Sequence, residues 1–165
     1  MGVIEGRQTA TYDGDLVVFL IGMRINSLRA VRQWLPVVRA MGPMLRELSK
    51  DPESGLLGFR TLPTWRGITL IQYWESVEKL QAFANDNGRT HRPAWLDYFR
   101  QSFKGGAAGI WHETYVVPAG NTETIYGNMP LIGLGKVAGV VPVGSRGDTA
   151  AERLGLPRTP QPTVP

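Results

Sequence analysis

The spacing of apolar positions changes several times along the chain. After a turn signal at Tyr12-Asp13-Gly14-Asp15, residues Leu16 to Ile25 are apolar at almost every position and rich in β-branched side chains. Simple alternation would leave one face polar, whereas a continuous apolar run predicts a strand buried on both faces. The period then lengthens. Leu28, Val31, Leu35, Val38, Met41, Leu45 and Leu48 recur every three or four residues and predict an amphipathic helix to about Lys50, with Asn26 and Ser27 as candidate N-caps. Pro36 and Gly42-Pro43 fall inside it, so a kink or two shorter helices are expected. Asp51 to Gly55 ends the pattern.

Leu56 to Leu62 and Ile68 to Trp74 read as two strands joined by the hairpin-length connection Pro63 to Gly67. Ser76 opens a helix through Val77, Leu80 and Phe83, stopped at Asn85-Asp86-Asn87-Gly88. Thr90 caps a further helix carrying Trp95, Tyr98 and Phe99, which breaks at Gly105-Gly106. Ala108 to Val117 is a fourth strand. The order β-α-β-β-α-α-β predicts an α+β, ferredoxin-like split βαβ fold with an antiparallel sheet and helices on one face. No remaining stretch can form a second helix layer over the other face. A second copy of the sheet can cover it, giving a homodimer whose sheets curve into an α/β barrel. The expected organisation is an N-terminal arm (1–14), the ferredoxin-like domain (15–118), an extension packing on the barrel or partner (119–143) and a mobile tail (144–165), where Gly, Pro and charge dominate.

Composition narrows the chemistry. The 165-residue chain has no Cys and only 2 His, His91 and His112. That removes disulfides, Cys-ligated metals and a Cys nucleophile, and leaves no three-His site within one chain. The 18 Lys+Arg against 14 Asp+Glu give +4, but they are dispersed, which argues against nucleic acid as a partner. The apolar run Leu16–Met23 is far shorter than the ~20 residues of a membrane span. With no signal-peptide pattern, a cytoplasmic protein is expected.

Strand alternation places Ile110, His112 and Thr114 on one face and Trp111, Glu113 and Tyr115 on the other. His112 interrupts an otherwise apolar and aromatic strand. A neutral imidazole there can act as a base, serve as a metal or haem ligand, or sit as a hydrogen-bonded core residue. Arg24 ends an apolar run and needs a partner. It can line one face with Gln72 and His112, or pair with Glu113 across the sheet. Trp74, Trp95 and Trp111 can wall a pocket for a flat ligand or fill the core. His91, at a helix start among basic residues, is either a surface residue or a haem ligand. Arg146-Gly147-Asp148 is read as chance.

Five segments carry a family resemblance: Val17 to Asn26, Leu70 to Ser76, His91-x-x-Ala94-Trp95, Gly109-Ile110-Trp111-His112-Glu113-Thr114-Tyr115 and Ile125-Tyr126-Gly127-Asn128-Met129-Pro130. Together they resemble a family of monooxygenase-like proteins named for a fungal polyketide monooxygenase of the fumagillin pathway, within the dimeric α/β-barrel superfamily. The fungal namesake is membrane-associated, and this chain has no matching apolar span. The superfamily holds cofactor-free quinol monooxygenases, haem-degrading enzymes, haem-containing aldoxime dehydratases and members without catalysis. The resemblance implies a monooxygenase acting on a hydrophobic, oxidisable phenol, enol or polyketide-like molecule in the barrel. His112 would be the base, Arg24 the anion stabiliser and Gln72 an orienting group. Trp74, Trp95, Trp111, Glu113, Tyr126 and Asn128 would bind substrate. No cofactor is the first expectation. Haem on His112 or His91 and a non-catalytic ligand-binding barrel are the alternatives.

The apolar sheet face yields a direct expectation. Sedimentation at micromolar concentration should give a dimer, and a monomer would contradict it.

Overall fold

The computed structural model describes residues 2–85 and 105–157. The expected helix at 90–102, with His91 and Trp95, lies outside them. The chain divides into two compact units, residues 17–116 and the paired ends 1–16 with 117–165.

In the first unit, β2 (Leu16–Ile25), β3 (Leu56–Thr64), β4 (Gly67–Trp74) and β5 (Ala108–Val117) form one sheet in the order β3-β4-β2-β5. This is the split βαβ topology, with the first and third strands of the motif at the centre. β2 runs antiparallel to β4 from Val17 opposite Trp74 to Arg24 opposite Gly67. β3 pairs antiparallel with β4 from Leu56 to Thr64, with one irregularity between Leu56 and Gly58. The β3–β4 connection is only Trp65-Arg66, tighter than expected. It depends on Gly67, because a β-carbon there would overlap the Met23 carbonyl oxygen.

Helix α1 (Val31–Leu48) is continuous through Pro36 and Pro43. Each proline deprives the carbonyl four residues earlier of its N–H. Those carbonyls belong to Arg32 and Arg39, both exposed, so water can replace the bond. The helix starts later than expected, with Ala30 at the N-cap position and no side-chain cap. The candidate caps are engaged elsewhere. Asn26 Nδ2 donates to the Gly106 carbonyl at 3.1 Å, and the Asn26 and Ser27 amides both donate to Ala107. The sequence there ties the end of β2 to the start of β5.

Helix α2 (Val77–Asn85) and α1 cover one sheet face. Val17, Leu48, Trp74 and Leu80 form a core with Phe19, Leu56, Val77 and Phe83 packed around it. Met23 and Ala108 form a second cluster with Ile25, Trp34, Val38 and Ile68. Odd-numbered β2 residues therefore face the helices. Val18, Leu20, Gly22 and Arg24 face away, with Tyr73, Ile71, Thr69 and Gly67 opposite them on β4. Val18, Leu20, Ile71 and Tyr73 stay only half-buried.

In the second unit, β1 (Ile4–Ala10) lies between β6 (Tyr126–Met129) and β7 (Val140–Pro142). The N-terminal arm is thus the central strand of a second sheet. Its own pattern hides this, since only Thr9 and Ala10 are buried. Short helices α3 (Leu134–Ala138) and α4 (Ala150–Arg153) complete the unit. The segment expected to be mobile is anchored as far as Arg153. Arg146 bonds both carboxylate oxygens of Asp13 and the Ala10 carbonyl. Arg153, with a side chain only 6% exposed, pairs with Glu123, and Thr149 and Glu152 form a capping box. Arg146-Gly147-Asp148 is accordingly a structural turn with its arginine already paired.

These contacts generate a truncation test. Ending the chain after Leu156 should leave the melting temperature unchanged. Ending it after Val143 strands Glu123 and Asp13, and should cost about 1–3 kcal/mol, seen as a lower melting temperature.

Candidate functional site

Two chemically capable side chains share the helix-covered face of the four-stranded sheet. Gln72 on β4 lies opposite Phe19 on β2 and is 3% exposed. Its side-chain oxygen accepts a bond from Trp74 Nε1 at 2.9 Å. The i, i+2 spacing on a strand puts those two groups on one side. The Gln72 amide nitrogen is not among the fully buried atoms without a partner, which in the described residues are Trp34 Nε1 and Arg66 Nε, and an amide N–H at such a site can donate to an incoming oxygen.

His112 on β5 places its ring 5.7 Å from that of Phe19, tilted by 41°. His112, Phe19 and Gln72 therefore follow one another across β5, β2 and β4. The apolar ring of Phe19 separates the two polar groups. His112 is exposed at the sheet edge. An imidazole there can exchange protons with solvent, while Gln72 lies deeper and can only donate or accept hydrogen bonds.

Arg24 lies on the opposite face. It shares that side of β2 with Gly22 and is exposed. The trio of Arg24, Gln72 and His112 is thus not assembled within one chain: the sheet lies between Arg24 and the other two. Trp111 joins Arg24's side, because its indole occupies the place that a β-carbon on Gly22 would take. Glu113 alternates onto the same side. Its carboxylate accepts a bond from the Tyr115 hydroxyl at 2.6 Å, and it makes no ion pair with Arg24.

The remaining candidates are placed as follows. Trp74 is fully buried in the core. Trp95 and His91 lie outside the described residues. Tyr126 and Asn128 belong to the other unit. There the Tyr126 hydroxyl accepts from the Gly135 amide at 2.9 Å, and Asn128 Oδ1 accepts from the Gly6 amide at 2.9 Å. Asn128 takes a positive φ of 50° to do so. Both side chains hold elements of that unit together.

Two residues were not singled out from the sequence. Phe19 lies between His112 and Gln72, and only the β2–β4 register reveals it. Tyr115 is placed beside Glu113 by strand alternation in the sequence, but is given no role there. Among the described residues no group of three or more His, Cys, Asp or Glu could hold a metal ion, and no helix is long and apolar enough to cross a membrane.

Comparison with known proteins adds a family and a set of relatives. The family model described as monooxygenase af470-like matches residues 16–134. Monooxygenase af470 of Aspergillus fumigatus is 30% identical over 175 residues, covering 93% of this chain. The chain spans 61% of that relative's length. Among solved structures, SnoaB, a cofactor-independent oxygenase from Streptomyces nogalater, is 11% identical with a TM-score of 0.41, covering 62% of this chain and 92% of that one. A dimeric ferredoxin-like protein from an uncultured marine organism is 13% identical with a TM-score of 0.43, covering 62% and 95%.

The Glu113–Tyr115 contact has a pH signature. Glu113 accepts the phenol's hydrogen bond and repels the phenolate, so the Tyr115 pKa is raised above its ordinary value. In a tyrosinate absorbance titration, Glu113→Gln should let one tyrosine ionise at lower pH than in the wild type. An unchanged curve would show that the pair does not persist in solution.

Proposed function

The chain belongs to the monooxygenase af470-like family, and from that premise we propose that it oxygenates a hydrophobic, oxidisable small molecule of the phenol, enol or polyketide class. The single observation that carries the site assignment is Gln72, a polar residue 3% exposed on the helix-covered face, which shares that face with Phe19 and His112. A phenolic or enolic oxygen can accept from its amide. Phe19 supplies an apolar contact beside it.

The proposed chemistry needs only substrate and O₂. His112 takes a proton from the edge-side end of the bound phenol or enol, at a position conjugated with an oxygen buried near β4. The Gln72 amide donates to the oxygen as negative charge develops there. Electron density moves to the ring or α-carbon, which transfers electrons to O₂ and forms a carbon-bound peroxide. At a CH₂ carbon, loss of water from the hydroperoxide leaves a carbonyl. One oxygen atom enters the product and the other leaves as water, which balances the four-electron oxidation of CH₂ to C=O. Arg24, on the far face, is outside this step within one chain. Two copies packed through that face would place it, with Trp111 and Glu113, in the interior of a barrel.

The test is O₂ uptake with a panel of naphthols and hydroquinones. His112→Ala should cut turnover by about 10²–10⁴, the usual scale for a general base, with melting unchanged. Lowered melting with unchanged activity per folded molecule would make His112 a structural residue. An intense haem absorption band in the purified protein would instead favour the haem reading through His112 or His91.

A further inference from the structure

The position of His112 depends on how β5 is held. β5 is an edge strand, adjoining only β2 in its sheet. Every residue from Trp111 to Val116 is exposed, so few side-chain contacts fix its middle. Its start is secured by the bonds from Asn26 to Gly106 and Ala107. Beyond them, the backbone ladder joins β5 to β2, Ala108 packs with Met23 at the start of the strand, and among the described residues two contacts of its middle side chains reach β2. One is the Phe19–His112 ring pair. The other is Trp111 on Gly22.

The second contact is unusually close. A β-carbon on residue 22 would lie 2.8 Å from Trp111 Cζ2 and closer still to Nε1 and Cε2. Gly22 has no positive φ that would require glycine. Within a strand, glycine weakens the element and often marks the close approach of another group. Here that group is the indole. A tryptophan side chain is rigid beyond its two rotatable bonds, so a side chain at position 22 must displace the indole, by turning it out toward solvent or by moving the strand that carries it away from β2.

We propose that Gly22 and Trp111 form a latch that sets the position of β5 on β2, and through it the position of His112 beside Phe19. Gly22 is then a positioning residue for the oxygenation site, acting from the opposite face of the sheet. The catalytic consequence rests on the proposed role of His112. The structural consequence does not.

The test exploits the scarcity of histidine. With only 2 His in the chain, the imidazole proton signals of His112 are assigned by their loss in His112→Gln. The Phe19 ring current marks how close the two rings are, and Phe19→Leu gives the signal position without it. Gly22→Ala should move the His112 signal toward that position. Adding Trp111→Val in the same chain removes the clash and should bring the signal to where Trp111→Val alone puts it. Turnover should fall about 10–100-fold in Gly22→Ala, the scale of an ångström-sized misplacement, and the double variant should match Trp111→Val alone. If Gly22→Ala does not fold, Trp111→Val alone, which introduces no clash, should still move the His112 signal by releasing the strand. A folded Gly22→Ala protein with an unmoved His112 signal overturns the latch, as does an unmoved signal in Trp111→Val. Full turnover in His112→Ala would sink the catalytic reading while the signal shifts still tested the latch.

Discussion

The apolar character of β2 on both faces is the constraint from which the arrangement of this protein follows. A strand apolar on one side could sit at the surface of a sheet. One apolar on both sides must be central and must have a cover on each side. The chain supplies one cover itself, through Leu48 of α1 and Leu80 of α2 against Val17 and Trp74. Parity then sorts the chemistry. Phe19 faces the helices and carries Gln72 and His112 with it. Gly22 and Arg24 face away and carry Trp111. A one-residue slip in the β2–β4 register would exchange these sets.

The same constraint explains why the two polar residues on the helix-covered face differ in character. Gln72, at a central strand, is surrounded by neighbouring strands and helices, and its oxygen is satisfied by Trp74. His112, at an edge, stays exposed. A deep donor and a peripheral base, separated by an aromatic ring, suit a molecule that enters from the sheet edge and buries an oxygen near β4. The far face, with its half-buried Val18, Leu20, Ile71 and Tyr73, suits a second apolar surface.

Much of this was legible in the sequence. The fourth strand was expected at the bounds it adopts, because ten residues of β-branched and aromatic character lie between Gly-rich and Pro-Ala-Gly breaks. The alternation that separates His112 from Trp111 was also readable. What could not be read was which face β2 gives to the helices, since both of its faces are apolar. Arg24 was therefore groupable either with Gln72 and His112 or with Glu113. The pairing of the chain's two ends was hidden for a different reason. β1 buries only Thr9 and Ala10, and its partners lie over a hundred residues away. Arg146 and Arg153 resemble ordinary tail charges until Asp13 and Glu123 are seen beside them.

The proposed function requires that substrate oxygen meet the Gln72 amide on the helix-covered face. The direct measurement is the side-chain amide signal of Gln72 in a ¹⁵N-labelled protein, assigned by its loss in Gln72→Leu and followed while an oxidisable naphthol is added without O₂. This signal should move to saturation as the naphthol binds. A naphthol that binds while the Gln72 amide signal stays fixed would contradict it.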